Sequence, residues 1–270
     1  MNEILKEIRK HCFIYLLIAK NCLIGQMEYR FNFVMGFFIE FMWLFVRILY
    51  VIVAYQTNIV INGLTPDAVL LYTGTYSIII GVYTGLFGHN FYELPEHIRN
   101  GTLDTLITKP ISLQFIITLR NINFSWPLSD VIGGITMVVL AWNRLGINVN
   151  IINIVGFSGL ILSGILISYS VFLLPRIFSF WLVKTNAITS ISEELHGFNR
   201  MPYLIYNKWI QRIGIFVLPI FLVANFPPLF VLHRLSYIYI LWGIVAPILF
   251  GFIARMVWNA GIRNYTSASS

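Results

Sequence analysis

Residues 192–200, SEELHGFNR, place two adjacent glutamates, a histidine and an arginine in one short segment. Such a set suits water activation, either by a paired-glutamate site with an arginine close behind or by a bound metal. The paired-glutamate pattern needs its arginine at position 198, where this chain has Phe198, and no second histidine motif lies inside an apolar run. H-E-x-x-H is also absent. Glu193 and Glu194 therefore read as solvated charge, with His196 and Arg200 near a membrane surface. Cys12 and Cys22 lack C-x-x-C spacing, so neither a disulfide nor a metal site is expected. No G-x-x-x-x-G-K-[ST] loop is present to cradle phosphates, and no polar segment is long enough for a nucleotide-binding domain. The chain reads as a non-enzyme with no cofactor or metal of its own.

Two other groups of polar residues stand out because the chain is 58% hydrophobic and only 11% charged. The first is Glu40, Arg47 and Asp130, each inside an apolar run. Charge is expensive in lipid, so each should face a protein interface or a watery cavity. Glu40 and Arg47 are seven positions apart, on one helical face but separated by about 10 Å along the axis, so a direct pair is not expected. Polar locking between helices and lining of a substrate path are both open. The second group is 93–112, ELPEHIRNGTLDTLITKPIS, a polar island between two apolar stretches. It reads as a helix over 92–100 closed by Gly101, then a turn over 103–108 that stops before Lys109-Pro110, because the residue before proline is pushed out of helical geometry. A solvated loop would explain its charge, but Leu94, Ile98, Leu103, Leu106 and Ile107 call for burial against something.

The elements that must position these residues are membrane helices. Runs 68–92, 145–175, 213–233 and 235–254 contain no Asp, Glu, Lys or Arg, and Arg234 alone separates the last two. About 20 apolar residues span a bilayer. Adding the two charge-bearing runs gives six spans, at about 31–54, 69–88, 121–142, 151–175, 212–231 and 236–257. Of the 18 basic residues, Arg47 lies in a span and Arg144 and Arg234 alone fall on the far side, leaving 15 on the side of the N-terminus. The positive-inside rule then puts both termini in the cytoplasm of a multi-pass inner (plasma) membrane protein. Topology accounts for the formal charge of +7, and no nucleic-acid partner is expected.

Residues 1–30 carry Ile4, Leu5, Ile8, Cys12, Tyr15, Leu16 and Ala19 on one helical face, which reads as an interfacial helix on the inner leaflet rather than a signal peptide. The permease domain is 31–257, with a cytoplasmic tail at 258–270. Gly74, Ser77, Gly81 and Gly85 form a small-residue stripe for close helix packing. Asn225, Pro227 and Pro228 are expected to interrupt span five near the outer surface, leaving a short re-entrant or surface element after them.

The island LPEHIRNGTLDTLITKPIS resembles the cytoplasmic loop of ABC-2 type permeases at Ile98, Arg99, Gly101, Leu103, Asp104, Lys109 and Pro110. YRFNFVMGFFIE at the start of span one, Phe180-Trp181 after span four and MPYLIYNKWIQR before span five are similar to the same family, so the likeness covers about 15–257. It implies an all-α integral membrane protein of six transmembrane helices, with a coupling helix between spans two and three that seats in a groove of a separate ATPase. It further implies an exporter, two copies of the ATPase that bind ATP and Mg, and a second permease that is either the same chain or a related one. Membrane lipid is the remaining partner. On this reading Glu96, Ile98, Arg99, Gly101, Leu103 and Asp104 are the coupling residues, with Arg99 and Asp104 orienting the docking and Ile98 and Leu103 as packing anchors. Two duller roles stay open: a lipid phosphate for Arg99, and capping of the second turn for Asp104. The rival class is a gradient-driven transporter, for which Glu40, Asp130 and the prolines Pro219, Pro227 and Pro228 would serve. The absence of a visible repeat argues against it.

Overall fold

The computed structural model describes residues 2–57, 63–182 and 186–265. Its elements are helical. α1 (Asn2–Glu28) and α2 (Arg30–Thr57) meet at Tyr29. α3 (Pro66–Tyr83) runs through a widened π turn, Thr84–Gly88, straight into α4 (His89–Arg99). Next come the short α5 (Leu103–Ile107) and α6 (Leu113–Leu119), then α7 (Ser125–Arg144) and α8 (Ile151–Ile177). α9 (Asn186–Gly197) precedes α10 (Lys208–Arg212), whose π turn Ile213–Val217 leads to α11 (Ile220–Val231), and α12 (Tyr237–Asn264) closes the chain. Five stretches are long and apolar enough to cross a membrane, and the bent pair Lys208–Val217 and Ile220–Val231 makes a sixth if it counts as one span.

Local chemistry sets the boundaries. Thr65 caps α3 by accepting from the Ala68 N–H at 3.4 Å, and Pro66 follows in the first turn, where its missing N–H costs nothing. Asn150 caps α8 in the same way, at 2.7 Å from the Asn153 N–H. The third span begins at Ser125 and not at 121, because residues 121–124 have other partners. Gln26 donates to the Ile122 carbonyl at 2.6 Å and accepts from the Phe124 N–H at 2.9 Å. The Asn123 N–H meets the Gly85 carbonyl in the π turn at 2.8 Å. α12 continues to Asn264, well past the expected end at 257.

The small-residue stripe on α3 packs against α7. A methyl on Gly74 would lie 2.9 Å from the Gly134 carbonyl, one on Gly81 would meet Asp130, and one on Gly85 would meet Pro127. α11 sits centrally between α3 and α8, and nearly all of its side chains are buried.

Span five corrects one expectation. The break falls at Pro219, where Leu218 is pushed to φ −122° and ψ 80° and the two halves bend by 101°. Asn225, Pro227 and Pro228 instead lie inside α11. Pro227 has no N–H for the Val223 carbonyl, and that carbonyl packs against Gly164, where an added methyl would come within 2.5 Å of it. Asn225, fully buried, accepts from the Tyr203 N–H at 2.7 Å.

α1 is helical, and Tyr15 from its apolar stripe touches the rest of the chain together with His11 and Cys22. His11 and Tyr15 pack edge-on to Phe115, and Cys22 bonds the Arg120 carbonyl at 3.4 Å. Leu5, Cys12 and Leu16 stay uncovered.

The loops assigned to the outside gather at one end. Arg144 lies 3.8 Å from Asp67 and over the Tyr55 ring at 5.4 Å, and Arg234 donates to the Gly63 carbonyl at 2.8 Å. In the loops expected on the outside, Asn58 lies outside the described residues, whereas Asn148 is exposed at this end. Asn100 is exposed beside Gly101, at the end of α4. Single cysteines at Asn100 and Asn148, in a background without Cys12 and Cys22, should be labelled from opposite sides of intact cells. External labelling at Asn100 would overturn the orientation.

Candidate functional site

Two sites collect the polar residues singled out in the sequence. One is the elbow formed by α4 and α5. The continuous element Pro66–Arg99 has 34 residues and so rises about 51 Å. That exceeds the roughly 30 Å hydrocarbon layer, so α4 projects beyond it as a rigid extension of span two. The chain reverses at Gly101, whose φ of +70° is cheap only for glycine.

The elbow's inner face is packed into the protein. Phe91, Leu94 and Leu103 are fully buried and Leu106 nearly so, against Ile117 of α6, Phe172 and Ile177 of α8, Phe180, and Trp258 of α12. Leu103 is therefore not a contact for another subunit. It anchors the elbow to its own chain, which corrects the role expected for it. Ile98 is half-buried at the edge of the same cluster. Asp104 faces the Tyr265 hydroxyl just beyond α12, and burial together with this carboxylate pushes that hydroxyl above its usual pKa. Glu96 and Arg99 point outward, 3.7 Å apart and each about 60% exposed. They form the free rim of the elbow with Asn100, Ile107 and Lys109, all exposed.

Side chains brace the elbow from behind. Asn90 donates to the Asn121 carbonyl at 2.8 Å and accepts from the Asn121 N–H at 2.9 Å. Glu93 accepts from the Asn121 amide at 2.9 Å and lies near both His89 and His97. Behind α5, Gln114 of α6 accepts from Arg255 of α12 at 2.6 Å and donates to Tyr169 of α8 at 3.0 Å. The sequence reading missed Asn90, Gln114, Tyr169 and Arg255. Their signal was available, since polar side chains in apolar runs need partners.

The second site lies within the spans. Arg47 donates to Asp130 at 2.5 Å, reaches Ser77 at 3.5 Å and lies over the Tyr76 ring at 5.5 Å. Asp130 is 2% exposed. The pair ties α2 to α7 across α3, a locking role that the sequence left open. Glu40 makes no hydrogen bond or ion pair among the described residues and faces a cavity of about 590 Å³. Trp43, Tyr76, Tyr83 and Trp126 supply aromatic walls, and Arg176, His196 and Arg200 line the far side.

The SEELHGFNR segment shows no hydrolytic arrangement among the described side chains. His196 stacks on Phe172 with ring centroids 3.5 Å apart and also touches Tyr83. Burial, with Arg176 and Arg200 nearby, pushes its pKa down to about 3, so the ring is neutral at pH 7. Glu194 is exposed, and the Glu193 side chain lies outside the described residues.

A family model described as ABC-2 family transporter protein matches residues 41–269. No curated protein and no solved structure matches the chain.

Proposed function

The chain belongs to the ABC-2 transporter family, and from that premise we propose that it is the permease subunit of an ATP-driven exporter whose energy comes from separate ATPase subunits. Two ATPase copies would bind ATP and Mg, and a second permease, identical or related, would complete the pathway. The membrane is the cell's inner (plasma) membrane, with both termini and the elbow in the cytoplasm. This chain hydrolyses nothing.

The observation that carries the proposal is the elbow. A lever must be rigid, must leave the membrane and must present a free face. Pro66–Arg99 is one continuous element, its end is braced by Asn90, Glu93 and Leu103, and Glu96 and Arg99 remain exposed. Closure of an ATPase pair against that rim would push on span two directly, and through Gln114 on α8 and α12 as well. Arg99 and Glu96 are the docking charges on this reading, with Ile98 at their edge.

The test is co-purification of the ATPase with wild-type chain, with Glu96→Lys/Arg99→Glu, and with Asn148→Lys at the opposite end, all matched for membrane expression. Losing a charged interface contact costs about 2 to 5 kcal/mol, so the double reversal should weaken association roughly 30-fold or more. Asn148→Lys should leave it unchanged. Equal recovery in all three would remove the elbow as the docking site. A chain that leaves its native membrane with no ATPase at all would fit a gradient-driven transporter instead, with Glu40 as its titratable group.

A further inference from the structure

α11 runs alongside α8, with the Val223 carbonyl against Gly164 and Phe230 against Gly156. The 101° bend at Pro219 therefore turns α10 and its π turn across the axis of the bundle. The depth of that crossing can be read from α12, whose uncovered apolar face runs from Tyr237 to Met256, about 28 Å, and matches the hydrocarbon layer. Ser163 bonds the Gly243 carbonyl, so Val223 beside Gly164 is level with Gly243. The bend, four residues deeper, lies about 15 Å inside the Tyr237 end, in the middle of that face. Gly214 packs there on Phe221, and the Trp242 indole holds the Ile215 carbonyl at 2.9 Å. Lys208 and Arg212, four positions apart and so on one face of α10, are exposed at this depth. Neither makes a hydrogen bond or ion pair through its side chain among the described residues. The sequence reading set both at the inner surface, since nothing local shows that the chain turns at Pro219.

Glu40 has the opposite charge at the same depth. It sits one turn inward of Leu44, which packs on Gly133; the adjoining Gly134 meets Ile78, and Ile79 touches Gly164. Glu40 is thus within about one helical turn of the level of the bend. It too has no ion-pair partner among the described residues. Charges inside a bilayer face protein or pair with one another, and here both halves of a pair are carried by one chain. We propose that a second copy of this chain docks across the α2 and α10 faces, so that Glu40 of one copy meets Lys208 and Arg212 of the other. Under two-fold symmetry the contact occurs twice. A related chain is not needed, because the charged face is complementary to itself. The inference rests on the permease reading in that it names the second permease and where it sits.

The experiment expresses two differently tagged forms of the chain together and measures recovery of one tag through the other after solubilisation. Wild-type copies should co-purify. Glu40→Lys should associate with itself at least about tenfold less, since like charges then face each other, and so should Lys208→Glu/Arg212→Glu. Expressed together, one tag on each, the two variants should recover association, because opposite charges again meet at both contacts. That recovery also shows that both variants fold. No association between wild-type copies, undiminished self-association of either variant, or no recovery in the mixture would overturn the proposal. Since the assay contains no ATPase, its failure would leave the ATPase co-purification result standing, and the reverse holds too.

Discussion

Replacing Asp130 with Asn should lower the thermal stability of the solubilised protein on the order of 10 °C, and additionally changing Arg47 to Gln should restore most of the loss. Asp130 is buried and holds Arg47 at 2.5 Å. Removing one partner leaves a guanidinium uncompensated inside the protein, at a cost of about 3 to 5 kcal/mol. For a chain of this size each kcal/mol corresponds to roughly 2 to 4 °C. The double variant carries no charge at either position and keeps amide groups that can bond each other, so the large term disappears. Melting curves of the two variants beside Arg47→Gln alone decide the point. A double variant no more stable than Asp130→Asn would mean that the pair does not lock α2 to α7. The same series bears on function, because α2 makes few other contacts. Gly36 and Leu44 face α7 and Tyr55 meets Asp67 and Arg144, while Phe38, Phe45 and Tyr50 stay uncovered by this chain.

Gly134→Val should have the largest effect of any single substitution considered, with little monodisperse protein surviving solubilisation. At this position a Cβ would come 2.7 Å from the Gly74 carbonyl and 2.9 Å from the Ile78 N–H. Those are backbone atoms, so no rotamer change relieves the contact, and α3 and α7 must separate along their whole seam. Overpacking of a core costs about 1 to 3 kcal/mol when side chains can adjust; here they cannot, and the loss should exceed that range. Gly159→Val is the matched control, since nothing lies within 4 Å of its Cβ position. Size-exclusion profiles of the two variants at equal expression make the comparison. Similar profiles would show that the seam can open without penalty.

The spans were legible because hydropathy is additive along the sequence, and so was the small-residue stripe, which needs only helical spacing. The Gly101 reversal could also be read, since its cause is local. Less visible were features whose partners lie far away. Arg47 and Asp130 are 83 positions apart, and nothing local tells either residue which charge it will meet. Leu103 could be recognised as needing burial, but not as buried within its own chain. Residues 121–124 looked like the start of a helix because their polar partners, Gln26 and Asn90, come from elsewhere in the chain. In span five the prolines were seen but ranked wrongly: Pro219 breaks the helix, whereas Pro227 and Pro228 lie within α11, where Gly164 lets the Val223 carbonyl pack closely.

The burial of α11 has a consequence for how the chain is made. With 12 residues it rises only about 18 Å, well short of the hydrocarbon thickness, so it is a poor candidate for entering lipid as an independent segment during synthesis. Its apolar surface is matched by α3 and α8. Both lie nearer the N-terminus and leave the ribosome first, so their groove precedes the helix that fills it. α12 follows and closes over the assembly, with the Gly243 carbonyl accepting from Ser163 of α8 at 2.5 Å. The order of elements along the chain is thus also a workable order of assembly in the membrane.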